Sequence, residues 1–500
     1  MKSKLNIIDC TIRDGGYYNK WDFDNKFVKN YIKTINKINI TWIELGFRKL
    51  ENDSSYGLYL RTEDKIITNL NIPKKIKIAV MIDLSDFRSN DNFKELVNLF
   101  NDAAKTRIDL IRIACSFEDI NYLGRVINIL RKKKYKIAVN LMKFTLLKKN
   151  EILNFFERAK KYKPNLFYLA DSFGNCSPQL IKKIGMLLKK KFDLRYFGFH
   201  GHNNCNLALK NALSAIKIGF HWIDTSVMGM GRGAGNLRLE DYLKHNKLKL
   251  EQVHLKKFVK EFMINIYNKY LWGPNKYYKI SAKNNIHPTY TQNLLTEKKF
   301  SLDVIFKILK YLKNKKTKTY NPDIFDTFFL KIKPIKIINN IDHKEEINLL
   351  CNNKIIKNMK LSINNSYKYA CLNYSKYIEP KFYSFVFLCN PYRVMTEINK
   401  LLNLKKKIIV PNYEIFSNGN KKKLNLIHYN FLNKKKLLIK KKFSSFSKNL
   451  VIAYAISFCL SQKIKKIKIY GLSKSSENIK IIKNFKNYII KNKINSRIYF

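Results

Sequence analysis

Eight short apolar runs, each followed by a longer amphipathic stretch, fill the first 230 residues of this 500-residue chain. The runs are Leu5–Thr11, Trp42–Phe47, Lys77–Asp83, Leu110–Cys115, Lys136–Met142, Leu166–Ser172, Tyr196–His202 and Trp222–Gly229. They are rich in Ile and Val and read as buried strands. The intervening segments carry a helical period; in "NKFVKNYIKTINKI", Phe27, Val28, Tyr31, Ile32 and Ile35 share one face. Eight strands alternating with helices at intervals of about 30 residues predict an α/β chain built on a (β/α)8 TIM barrel. A doubly wound open sheet is the alternative. It is weakened by the count of eight and by the lack of a GxGxxG turn after the first run.

The barrel predicts where chemistry sits, because catalytic groups gather at the carboxyl ends of the strands. Those ends read Arg13 and Asp14, Glu44 and Arg48, Asp83, Cys115, Asn140, Asp171 and Ser172, His200 and His202, and Asp224 and Thr225. His200 and His202 are two of only eight histidines. Residues i and i+2 of a strand face the same side, so both point into the barrel mouth. Closure sets the first strand beside the eighth, which brings Asp14 within reach. Two imidazoles and a carboxylate with open positions suit a divalent metal that also binds substrate, Mn²⁺ or Mg²⁺ ahead of Zn²⁺. Two surface histidines, or a buried pair satisfied by backbone, are the alternative.

Two further motifs flank that triad. "DCTIRDGGYYN" (Asp9–Asn19) places Arg13 and Asp14 before Gly15 and Gly16, read as a tight turn that lets backbone approach a ligand. Arg13 offers a charged fork to a carboxylate or enolate oxygen. "MGMGRGAGNLRLED" (Met228–Asp241) follows the eighth run. Its glycines, Gly233 and Gly235 among them, can approach a bound anion, and Asn236 can add a neutral oxygen ligand. Gly15, Thr225, Gly233 and Gly235 are therefore candidate substrate contacts. Asp171 and Asp224 are candidates to orient the histidines, with strand-end capping as the plain alternative.

Together the three motifs resemble the metal-dependent barrel lyases and synthases with an R-D-G first strand. These include 4-hydroxy-2-oxovalerate aldolase, hydroxymethylglutaryl-CoA lyase, the isopropylmalate and homocitrate synthases and the pyruvate carboxyltransferase domain. The resemblance covers residues 5–245 and looks most like the 4-hydroxy-2-oxoacid aldolases. It implies Asp14, His200 and His202 as metal ligands with Asn236 beside them, and Arg13 polarising the ketone or enolate oxygen. The implied reaction makes or breaks a carbon–carbon bond next to a pyruvate enolate, with a small 2-oxo acid and an aldehyde as reactants. The glycine loop lacks the cysteine of hydroxymethylglutaryl-CoA lyase and the Glu-Arg pair of the acetyl-CoA synthases. An acyl-CoA-using synthase and a barrel reduced to a scaffold are the alternatives. The aldolases place a His three residues after the motif Asp, where this chain has Tyr17. Tyr17, Tyr18, Glu44 or a metal-bound water is the substitute acid/base group.

A helical extension is expected over 246–318, interrupted by "IHPTYTQ", in which His287 and Tyr290 either reach the site or simply start a helix. Strand-like runs at Phe382–Cys389, Lys406–Tyr413, Leu424–Phe431 and Lys463–Leu472, with a helical Asn449–Leu460, predict a smaller Rossmann-like α/β domain over 319–500. The net charge of +60 divides into +22 for the first 250 residues and +38 for the rest. It is nearly all lysine, with no nucleic-acid motif, so no specific nucleic acid partner is expected. The eight cysteines form no CxxC pair, and no apolar run reaches the ~20 residues that span a bilayer. A cytoplasmic protein without a membrane span is expected, and a homodimer is compatible with the sequence.

Overall fold

The computed structural model describes residues 5–50, 55–296, 302–315, 317–321, 324, 345–353, 356, 361, 364–375, 377–412, 424–433, 437–446, 450–473 and 475–500. The chain divides into two compact units, residues 1–320 and 321–500.

The first unit is a closed parallel barrel of eight strands in sequence order. They are β1 (Asn6–Asp9), β2 (Trp42–Phe47), β3 (Lys77–Asp83), β4 (Ile108–Cys115), β5 (Lys136–Met142), β6 (Leu166–Asp171), β7 (Phe197–Gly201) and β8 (Trp222–Thr225). Closure is direct: Asn6 pairs with Trp222 and Asp9 with Thr225. The helix Asn25–Lys37 buries Phe27, Val28, Tyr31, Ile32 and Ile35, and the Asp24 side chain accepts from Phe27 N. Pro178 opens another outer helix, with Ser177 as its cap.

Strand alternation sorts the barrel into two surfaces. Ile8, Ala79, Leu110, Ala138, Leu166 and Tyr168 form an inner plug, with Trp42 and Trp222 packed against it. Glu44, Arg112, Asn140, His200 and Asp224 lie on the same inner parity, nearer the carboxyl ends. The odd-numbered residues of β4 to β8 face the helices.

One local expectation is corrected. Thr11–Asn19 is a helix, and Gly15 and Gly16 are buried within it rather than forming a turn. Packing overrides the low helix propensity of glycine here. A Cβ on Gly16 would lie 2.1 Å from Trp21 Cδ1, and one on Gly15 2.8 Å from Met230 Sδ.

Helices Leu239–His245, Lys249–Phe258, Ile264–Tyr270, Lys276–Lys283, Pro288–Thr296 and Leu302–Leu312 follow the barrel within the same unit. Trp272 Nε1 donates to Met228 O (2.9 Å), Gly233 N to Gln292 Oε1 (2.8 Å) and Gln292 Nε2 to Tyr17 O (2.9 Å). The segment thereby fastens both the glycine loop and the first helix.

The second unit holds β9 (Glu346–Leu350), β10 (Tyr369–Leu372), β11 (Phe385–Phe387), β12 (Lys407–Val410), β13 (Asn425–His428), β14 (Asn430–Asn433), β15 (Leu438–Ile439), β16 (Phe443–Phe446), β17 (Lys466–Tyr470) and β18 (Arg497–Tyr499). Seven form a parallel sheet in the order β13-β12-β11-β10-β9-β17-β18, and β14, β16 and β15 form a small second sheet. The order reverses between β9 and β17, as in doubly wound folds. The expected helix appears as Val451–Ser461, buried from Ile452 to Leu460, while Tyr413 and Asn449 of the expected elements lie outside the described residues. No helix among the described residues is long and apolar enough to cross a membrane.

Candidate active site

Six buried side chains form a closed ring at the carboxyl end of the barrel. Arg13 Nη1 meets Asp14 Oδ1, and Arg13 Nε meets Glu44 Oε2 at 2.7 Å. Glu44 Oε2 lies 3.0 Å from Arg112 Nη1, and Arg112 Nη2 lies 2.6 Å from Asp224 Oδ2. Asp224 Oδ2 is 2.9 Å from His200 Nδ1, and His200 Nε2 is 4.0 Å from Asp14 Oδ2. The arrangement follows from the barrel: β1 delivers the first two residues through the helix that starts beyond it, and β2, β4, β8 and β7 deliver the rest. Arg112 also lies over the Tyr168 ring of the inner plug, 4.3 Å from its centroid.

The ring carries three carboxylates and two guanidinium groups around an imidazole. Acidic side chains outnumber guanidinium groups in this buried ring, which suits a bound cation. Asp14 Oδ2 has no hydrogen-bond partner and lies 3.9 Å from His202 Nε2. One ligand atom each from Asp14, His200 and His202 fit within 4.8 Å of one another. Burial alone would raise the Asp14 carboxyl, yet the Arg13 guanidinium beside it holds it well below the usual range. Burial pushes His202 down to about 3, so its imidazole is neutral and able to ligate. His200 Nδ1–H donates to Asp224, which leaves the Nε2 lone pair toward Asp14. Asn236 Oδ1 is buried and unpartnered, and its backbone pairs with His202 in an isolated antiparallel bridge. Gly231 is squeezed against both: a Cβ there would lie 2.4 Å from Asn236 Nδ2 and 2.6 Å from Asp14 Oδ2. These donors fit a divalent cation. Cys10, His200 and Asp224 also cluster, but burial keeps the Cys10 thiol protonated and Arg112 claims Asp224.

A cavity of about 520 Å³ opens above the ring, lined by Arg13, Asp14, Tyr17, Asn140, His200 and His202 among others. Tyr17 packs edge-on against Trp21, centroids 4.9 Å apart, while lining the cavity. Glu44 sits beneath, fully buried, holding Arg13 and Arg112. Tyr18 is not on the cavity wall; its hydroxyl donates to Gly233 O at 2.5 Å.

Other sequence candidates lie elsewhere. Asp171 accepts from Asn175 N (3.2 Å) and Cys176 N (3.0 Å), closing the loop after β6, and burial raises it to about 7. Thr225 Oγ1 donates to Asp9 Oδ2 (3.3 Å) on the helix-facing side of the barrel. Gly15 packs on Met230. Gly233 (φ 71°) is tied to the Pro288–Thr296 helix, and Gly235 (φ 84°) makes a turn in which a Cβ would lie 1.9 Å from Gly229 O. His287 does both things considered for it: Pro288 starts the helix, and the imidazole lines the cavity, whereas Tyr290 is buried. Sequence reasoning missed Arg112, Arg232 and Lys143, the last two on the cavity wall. The inner parity of β4 was the available signal for Arg112.

The chain is 27% identical over 242 residues to a 4-hydroxy-2-oxovalerate aldolase of Geobacillus genomosp. 3, covering 48% of this chain and 69% of that protein. It is 24% identical over 236 residues to an oxaloacetate decarboxylase of Mycobacterium tuberculosis, covering 47% and 67%. The crystal structure of the N-terminal domain of a candidate aldolase from Bacteroides vulgatus matches with a TM-score of 0.50 at 31% identity, covering 61% of this chain and all of that one. Residues 4–259 match the HMGL-like family over more than half of the chain, and the chain belongs to that family.

Proposed function

We propose that the barrel is a divalent-metal-dependent carbon–carbon lyase acting through the enolate of pyruvate, in the manner of a 4-hydroxy-2-oxovalerate aldolase. The observation that carries this is the buried Asp14 Oδ2, unpartnered between His200 Nε2 at 4.0 Å and His202 Nε2 at 3.9 Å. Asp14, His200 and His202 would hold the cation, Mn²⁺ or Mg²⁺, with Asn236 beside it. When bound, the cation supplies Lewis-acid stabilisation to charge developing on a 2-oxo acid.

The chain's own groups do the rest. Arg13 lines the cavity with Nε and Nη1 fixed by Glu44 and Asp14, so its fork is oriented before substrate arrives. The Nη2 of Arg13 is used by neither contact and is the donor for the enolate oxygen. Glu44 is a positioning residue, since it touches Arg13 and Arg112 and not the cavity. Tyr17 lines the same cavity as Arg13, and it is the group proposed to hand a proton to or from the aldehyde oxygen. The small-molecule partners are then a 2-oxo acid and an aldehyde. The relative named as an oxaloacetate decarboxylase fits the same site, because loss of CO₂ from oxaloacetate leaves the same enolate.

The test strips the protein of metal and follows exchange of pyruvate methyl protons into D₂O by NMR. Exchange is expected on adding Mn²⁺ or Mg²⁺ and is expected to vanish in His200→Ala. A folded protein that binds metal without exchanging those protons would overturn the pyruvate assignment.

A further inference from the structure

Two cations on the cavity wall have no place in the chemistry above. Arg232 belongs to the glycine loop and Lys143 follows β5, and both line the same 520 Å³ space as Asp14, His200 and His202. The other charges there are accounted for. Arg88 is bidentate on Asp119 (2.7 and 2.9 Å), Asp83 lies 3.4 Å from Lys49, and Arg13 is held by Asp14 and Glu44. Glu118 is exposed at the rim.

Arg232 faces inward. Its guanidinium carbon sits 5.2 Å from the Tyr17 ring centroid, and its Nε is buried without a hydrogen-bond partner. A buried guanidinium N–H left unpaired is costly unless something fills the space in front of it. Lys143 is partly buried, and its ammonium is destabilised by burial and then by Arg232. Glu118, Asp83 and Asp119 pull the other way without compensating. His287 feels both Arg232 and Lys143 and stays neutral, which keeps a third positive charge away. The Arg232 charge also acts on Asp14 and His202.

Resting on the aldolase reading, we propose that Arg232 and Lys143 form an anion subsite, so that the aldehyde partner carries a phosphate or a carboxylate. A planar fork and an ammonium lining one cavity suit such a group, because each contact would be a charge-assisted hydrogen bond. The bond chemistry is unchanged. The methyl carbon of pyruvate gives up a proton to solvent water, and the C–H electron pair becomes the enolate π pair; the proton count is restored when the aldehyde oxygen takes one up. That carbon bonds to the aldehyde carbon while the carbonyl π pair moves to oxygen and takes a proton. No oxidant or reductant is needed. The anion stays at the far end of the aldehyde and contributes binding and orientation.

The test uses the metal-loaded full chain with pyruvate and four aldehydes: glyoxylate, glycolaldehyde phosphate, glycolaldehyde and acetaldehyde. The expected result is a kcat/KM about tenfold or more higher for an anionic aldehyde than for either neutral one. Which anion wins separates carboxylate from phosphate. Arg232→Gln and Lys143→Gln should erase the preference mainly through KM, and Arg232→Lys should keep part of it. Equal or better use of neutral aldehydes, or a preference that survives both Gln variants, would overturn the subsite. Pyruvate proton exchange in the unaltered enzyme reports the aldolase reading by itself, so exchange without anion preference defeats the subsite alone. Inorganic phosphate and acetate, each titrated by calorimetry into unaltered protein and Arg232→Gln, test the subsite without turnover. Binding of either anion that is lost in the variant supports it, and equal binding in both proteins, or binding of neither anion, counts against it.

Discussion

Arg112 is enclosed among the strands with none of its surface exposed, and it separates two carboxylates that would otherwise repel. Truncating it leaves Glu44 and Asp224 buried without their shared counter-charge. Arg112→Ala is expected to lose about 3–5 kcal/mol of stability, measured by urea denaturation. Asp9 tests the opposite situation. Burial raises its carboxyl to about 6, above the unfolded value near 3.8, against the pull of Thr11, Tyr31 and Thr225. The native state therefore binds this proton more tightly, and its stabilising effect is fully present below about pH 4 and fades as pH rises through 6. The unfolding free energy of the unaltered protein relative to Asp9→Asn should fall by about 2 kcal/mol between pH 4 and pH 7. At this scale the sequence was legible where alternation was applied and misleading where it was not. The rule that sends His200 and His202 inward also sends Asp171 and Thr225 outward, one residue off the inner parity of Ala170 and Asp224. Arg112 was hidden because "LIRIAC" reads as an apolar strand with one stray charge.

Among elements, the helix Thr11–Asn19 bears most on the site, since Arg13 and Asp14 both ride on it. Trp21 covers Gly16 and donates from Nε1 to Arg13 O at 2.7 Å. Gly16→Ala, which in an open helix would gain stability, should here push Trp21 aside. The expected outcome is a destabilised protein with metal affinity reduced about tenfold or more, measured by calorimetric titration of Mn²⁺. A pair of glycines after a strand gives a local signal for a turn. What makes it a helix is contact with Trp21 and with Met230, more than 200 residues away, and no local rule contains that contact. The apolar runs fared better because their pattern is set by burial on two faces; Trp42–Phe47, Lys77–Asp83 and Lys136–Met142 are strands to the residue.

At the level of the whole chain, the barrel unit extends to residue 320. Gln292 and Trp272 hold the glycine loop and the first helix, so a fragment ending near 245 lacks what secures its own site. Residues 1–320 are expected to fold alone and bind Mn²⁺ as the full chain does, while 1–245 should bind it weakly or aggregate; calorimetry and size-exclusion chromatography check this. The second unit was legible as α/β from its strand-like runs, but β9, β10, β14, β15, β16 and β18 were not foreseen, because strands of two to five residues are too short to show a period.

The four tryptophans of the chain, Trp21, Trp42, Trp222 and Trp272, all belong to the first unit. Trp42 and Trp222 meet at the inner plug with centroids 5.3 Å apart, Trp21 hydrogen-bonds to the first helix at Arg13 O, and Trp272 hydrogen-bonds to the glycine loop at Met228 O. Indole emission is thus a private optical channel for the barrel, silent about residues 321–500. Set beside far-ultraviolet circular dichroism, which sees both units, it turns one melting experiment into two. Superimposed curves would mean that the units share a single cooperative transition, and separated curves would assign each transition to its own half of the molecule.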